Sequence, residues 1–238
     1  MDAYNLDAGE TLKIGTNSTE ADAINAAAGV TIDGDVVVCG GGDPSVVAGS
    51  IDEGVVTGDV YSAGEYELSS VIVPQYLQAL PSQGTIGGGT TLTTTGKYDS
   101  ISLGNSEIAS IDGEVILYVT GDIILDNSAQ LLIVDANTNP DASLTLYLGG
   151  NLLAQNGAFI NNLTLDPKRL KIYALDTCQN IDFKSSSVFY GAIYAPEADV
   201  HLHNSVDVYG SVVGNTFTQD VSAAFHYDAS LRDGTVND

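Results

Sequence analysis

A short strand, a polar corner and a second strand recur four times along this chain, in GDIILDNSAQLLIV (121–134), GNLLAQNGAFINNL (150–163), QNIDFKSSSVFYGAIY (179–194) and ADVHLHNSVDVYGSVV (198–213). Self-similarity of this kind constrains the fold more than any single motif, because each unit is too small to bury its own apolar face and must stack on its neighbours. The corners fall at Asn127-Ser128, Asn156-Gly157, Ser185-Ser186 and Asn204-Ser205, at intervals of 156 − 127 = 29, 185 − 156 = 29 and 204 − 185 = 19 residues. Asn, Gly and Ser suit such corners because they tolerate left-handed backbone or bond their own main chain. Asn side chains at successive corners are expected to stack as a ladder.

Within the runs, polarity alternates with period two. Val115, Leu117 and Val119 share one face and Ile116 and Tyr118 the other, so inward residues should form aliphatic rows spaced about 4.8 Å per coil. Tyr147, Tyr173, Tyr190, Tyr194 and Tyr209 are expected to stack as aromatic flanks. The composition agrees with a β-rich, turn-rich chain: 26 Gly, no Trp, one Met and only 16% charged residues among 238. The fold expected is all-β, a single-domain parallel β-solenoid over 1–238, right-handed by the usual handedness of parallel crossovers. Residues 1–30 are read as an N-terminal cap, with a short capping helix over about 19–28 announced by Ser18 and an acidic first turn and stopped by Gly29. Residues 66–97, interrupted by Pro74 and Pro81, read as an irregular crossover or flap packed on the outside through Val71, Ile72, Val73, Tyr76, Leu77 and Leu80. Regular coils are expected over 98–231, with a tail at 232–238.

The segment FYGAIYAPEADVHLHNSVDVYGSVVG, followed by FHYDASL, carries a resemblance, as do the earlier VTIDGDVVVCGGGDP and VVTGDVYS. Together they resemble a β-solenoid domain of unknown function from exported bacterial proteins of the type IV pilus assembly (PilX-like) or cell-surface kind. The resemblance implies an extracellular or cell-surface location, with a signal or anchor segment upstream and Met1 as an expression start. It transfers no catalytic residue.

Thirty-one acidic against seven basic residues leave a formal charge of −24. Such a surface repels phosphate backbones and anionic lipid, which argues against nucleic-acid partners. The charge suits a secreted protein facing salt or divalent cations, and it also serves solubility alone. No apolar run approaches the length of a membrane span, and 1–15 lacks the basic start and apolar centre of a signal peptide.

Cys39 and Cys178 admit two readings, a disulfide that ties the N-terminal region to the body or two buried free thiols. Three places offer candidate chemistry. In DANTNPDAS, Asp135, Asn137, Asn139 and Asp141 alternate as oxygen ligands do in a calcium loop, although Pro140 replaces the turn glycine and no Glu stands at the twelfth position, which excludes an EF-hand. An exposed polar corner accounts for the same residues. In DVHLH, strand alternation puts Asp199, His201 and His203 on one side, and imidazoles two apart can share a transition metal; a solvated outer face is the competing account. Lastly, some β-helices cleave polysaccharides with paired carboxylates, and Asp122 and Asp126 are available. Lys168, Arg169 and Lys171 are the one basic cluster. No phosphate loop, nucleophile elbow or HExxH occurs.

The function expected is therefore a non-catalytic structural or adhesive domain at the bacterial cell surface, partnered by other surface or pilus proteins or by itself. The alternative is a carbohydrate-binding or carbohydrate-active β-helix, with glycans as ligands.

Overall fold

Segments such as EVILYV and SLTLYL combine β-branched, aliphatic and aromatic residues with period-two polarity, which fits a half-buried pleated surface. In the computed structural model they pair in parallel, rung upon rung, as a parallel β-solenoid. The structure describes residues 1–4, 11–26, 29–184, 187–220 and 222–233. The chain divides into two compact units, Met1–Leu68 with Phe225–Asp238, and Ser69–Ala224. Among the described residues no helix is long and apolar enough to cross a membrane.

The first unit contains β1 (Asp2–Tyr4) and a parallel sheet of β2 (Leu12–Thr16), β3 (Gly34–Val38) and β4 (Val60–Ser62), with β2 at one edge and β3 in the middle. Leu12, Val36 and Val38 face its core and are almost wholly buried. A one-turn helix, α1 (Pro44–Val47), follows β3, its start capped by Asp43, whose carboxylate accepts from the Ser45 amide and hydroxyl at 2.9 and 2.7 Å. The capping helix expected over 19–28 is not formed: 20–24 are turns and bends, 25 and 26 are irregular, and 27–28 lie outside the described residues. Asp22 takes a φ of 57°, and the amides of Asp22 and Ile24 donate to the carbonyls of Val46 and Val47. A helix of this length is marginal by itself, and here its amides satisfy the open end of α1 instead.

The second unit winds through three faces. One is built from β7 (Gly96–Tyr98), β10 (Glu114–Val119), β13 (Ser143–Leu148) and β16 (Leu170–Ala174). A second is built from β5 (Thr85–Ile86), β8 (Ser100–Leu103), β11 (Ile123–Leu125), β14 (Leu152–Ala154) and β17 (Asn180–Phe183). A third is built from β6 (Thr91–Leu92), β9 (Ile108–Ile111), β12 (Gln130–Ile133) and β15 (Phe159–Asn162). Two long strands, β18 (Ser187–Leu202) and β19 (Val206–Gln219), turn corners without breaking. Thus β18 pairs with β16 through Lys171↔Ala192 and with β17 through Asp182↔His201. The last strand, β20 (Ala224–Asp228), pairs with β1 within the first unit through His226↔Asp2.

Coil-on-coil register produces the expected rows. Gly96, Leu117, Leu146, Ile172, Ile193 and Val212 align down one inward column. Val115, Leu117 and Val119 are buried and Ile116 and Tyr118 half-buried. Outward, Lys97, Tyr118, Tyr147, Tyr173 and Tyr194 form a second column. Tyr147 stacks on Tyr173 at 5.5 Å between centroids, and Tyr190 on Tyr209 at 4.8 Å. The Asn ladder is present at the corners: Asn127 Nδ2 donates to Asn105 Oδ1 at 3.1 Å and Asn156 Nδ2 to Asn127 Oδ1 at 2.7 Å. Ser106 and Ser128 beside them are left-handed, as is Asn156; the corner at Ser185-Ser186 lies outside the described residues.

The outer flap is shorter than the sequence suggests. Around the single helical turn α2 (Gln75–Gln78), Val73 and Leu77 are buried, Lys97 Nζ donates to the Gln78 carbonyl, and the Tyr194 hydroxyl donates to the Ser69 carbonyl. Residues 85–97, expected to be part of that flap, instead supply β5, β6 and the start of β7, each paired with the following coil. Their Gly and Thr content hides short strands of two or three residues, so the regular coils begin at Thr85 and not at Tyr98.

Candidate metal-binding cluster

Three successive rungs place chemistry on one outward face of the second unit. Asp182 of β17 is in register with His201 of β18, which is in register with Thr218 of β19. Ala198, Val200 and Leu202 point into the core, so His201 and His203 face outward together as the alternation requires. Their rings stack at 3.7 Å between centroids. His203 Nε2 lies 2.7 Å from Asp182 Oδ1 and its Nδ1 lies 3.2 Å from Asp220 Oδ2. His201 Nε2 lies 3.0 Å from Asp220 Oδ1. Asp220 therefore spans both imidazoles, and above all the hydrogen bond with His201 holds its carboxyl below the ordinary range.

Asp182 is placed differently. Its Oδ1 is sealed from solvent and has no hydrogen-bond partner, although His203 Nε2 lies close by. Its Oδ2 is 3.5 Å from Lys184 Nζ, a partly exposed pair of little energetic weight. One ligand atom each from Asp182, His201 and His203 lie within 4.8 Å of one another. A depression of about 230 Å³ beside them is lined by Asn180, Asp182, Asp199, His201, Thr216 and Thr218, among others.

Of the residues singled out from the sequence, His201 and His203 lie against Asp182 and Asp220. Asp199 is on the same face but is occupied by Asn215 Nδ2 at 3.0 Å and Thr216 Oγ1 at 2.7 Å. Asp182 and Asp220 take its place because parallel stacking puts the preceding and following rungs, not the same strand, against the imidazoles. The remaining histidine, His226, contacts Asp2 in the first unit.

In the loop read as a calcium site, the oxygens serve the turn itself. Asp135 accepts from the Thr138 hydroxyl at 2.8 Å and from the Thr138 and Asn137 amides at 3.1 and 2.9 Å, and these bonds, the first most of all, lower its pKa. Asn139 Nδ2 donates to Asp112 and its Oδ1 accepts from the Asp141 amide. Asp141 also lines a shallow depression with Glu114, Asp166, Lys168 and Arg169. Asp122 and Asp126 reach to the next coil, accepting from the Asn151 amide and from Gln155 Nε2. Cys39 and Cys178 are both free and buried, which corrects the disulfide reading. Each thiol is enclosed in the core of its own unit, and burial pushes the Cys178 thiol up to about 11.

The fold and the cluster define a parallel β-solenoid with a histidine–carboxylate group on its outer wall. Residues 52–234 match the family model described as Domain of unknown function (DUF7305), and the chain belongs to that family. No curated protein matches the sequence.

Proposed function

We propose that this chain is a non-catalytic structural or adhesive domain displayed at the bacterial cell surface, where it joins other surface or pilus proteins or a second copy of itself. The observation that carries the reading is the like-on-like arrangement of the outer wall. Asn105, Asn127 and Asn156 bond one another across coils, and Tyr147 and Tyr173 turn their ring faces on each other. Side chains used this way stiffen the stack, and they leave the paired ring faces closed to a sugar. A strongly acidic surface, from a net charge of −24, keeps such a domain soluble outside the cell.

Labelling intact cells of the source organism with antibody against the domain tests the location. Surface signal that is lost on protease shaving supports the reading, whereas signal only after permeabilisation overturns it. Light scattering over a hundredfold concentration range then separates self-association from partnership with other proteins.

One feature favours the carbohydrate reading, namely the depression that gathers Glu114, Asp141 and Asp166 with two basic residues. A glycan array and a hydrolysis panel on the wild type and on Glu114→Gln test it. Retained binding or turnover that depends on Glu114 would replace the scaffold reading.

A further inference from the structure

The histidine–carboxylate cluster has a feature that its internal contacts do not satisfy. Asp220 holds one nitrogen of each ring, Nε2 of His201 and Nδ1 of His203. A carboxylate at one imidazole nitrogen keeps the proton there and leaves the other nitrogen as a lone-pair donor. For His203 that other nitrogen is Nε2, and it faces the sealed, hydrogen-bond-free Oδ1 of Asp182 at 2.7 Å. Two lone pairs opposed at that distance repel unless a cation, either a proton or a metal, lies between or beside them.

We propose that Asp182, His201 and His203 bind a divalent transition metal of the zinc class, with Asp220 orienting both imidazoles from behind. Two imidazoles and one carboxylate suit zinc, copper or nickel and suit calcium or magnesium poorly, since those prefer all-oxygen shells. Tetrahedral zinc with bonds of about 2.0–2.1 Å sets ligand atoms about 3.3 Å apart. One ligand atom from each of the three residues already lies within 4.8 Å of the others, close to the spacing such a shell requires. The ligands come from consecutive rungs, β17 and the end of β18, while Asp220 follows β19. The metal is thus a staple across the final coils, and the highly acidic chain raises the local concentration of cations.

The test uses the full chain, stripped with chelator, and zinc as the probe at pH 7.5. Calorimetry is expected to show one equivalent bound with Kd below about 10 μM, and the melting temperature to rise by about 5–10 °C at a hundredfold excess over Kd. Calcium and magnesium should give no such rise. His203→Ala and Asp182→Asn should abolish the tight site, and Asp220→Asn should weaken it by about 10- to 100-fold. X-ray absorption on the zinc-loaded wild type should show two imidazoles in the metal's shell, a readout that does not depend on any variant folding. Binding weaker than 1 mM, an oxygen-only shell, or unchanged affinity in a folded His201→Ala/His203→Ala protein overturns the proposal.

Discussion

Leu146→Ala is the sharpest probe of the stacked core. Leu146 is fully buried on β13, between Leu117 of the preceding coil and Ile172 of the next. Truncation removes three carbons, worth about 2.5 kcal/mol at roughly 0.8 kcal/mol per methylene. The cavity adds to this, because main-chain ladders on both sides of β13 hold neighbouring rungs about 4.8 Å apart and keep the hole from collapsing. The total is about 3–4 kcal/mol, a large share of the 5–15 kcal/mol typical of a folded domain. Thr145, one position away, points outward and is half-buried, so Thr145→Ala should cost about 0.5 kcal/mol. Urea unfolding followed by tyrosine fluorescence suits a chain with 12 Tyr and no Trp. The midpoint should fall with the slope unchanged. A loss below about 1 kcal/mol for Leu146→Ala, together with a larger one for Thr145→Ala, would reverse the assigned inside and outside and refute the stacking argument.

Three further outcomes are expected. Asn127→Ala removes both ladder bonds at the middle corner, to Asn105 and Asn156, and should cost about 1–2 kcal/mol in the same assay, whereas a neutral result would reduce the ladder to decoration. Gly210→Ala would set its Cβ 1.8 Å from the Gly191 carbonyl oxygen; the paired strands β18 and β19 would have to part, at a cost of about 3 kcal/mol or more, and an unchanged melting temperature would contradict this packing. With its thiol pKa raised to about 11 by burial, Cys178 should be inert to a thiol reagent at pH 8 in the native protein, and Cys39 and Cys178 should both titrate once guanidinium unfolds the chain without reductant; failure to detect two thiols there would restore the disulfide.

Much of the second unit can be read in one dimension. Alternation put Val115, Leu117 and Val119 inside, and the recurrent Asn-Ser and Asn-Gly pairs marked corners, because both signals are local and repeat with the coil. The same locality failed over 19–28, where a plausible helix start meets the open carbonyls of Val46 and Val47 and spends its amides there. It failed again over 85–97, since two-residue strands held only by their neighbours carry no period of their own. Which carboxylates meet the histidines was likewise hidden. Asp182 and Asp220 lie one coil before and about one coil after His201, a relation set by the register Asp182↔His201↔Thr218.

From sequence alone came the parallel β-solenoid, its corner chemistry, its acidic surface and the shared outward face of His201 and His203, all consequences of residue type and short spacing. Tertiary structure decided where the coils begin, that both thiols are free, and that Asp182 and Asp220, not Asp199, surround the imidazoles. Coil length varies along the chain, so only the completed stack, in which main-chain hydrogen bonds lock one rung onto the next, determines which side chains become neighbours across it.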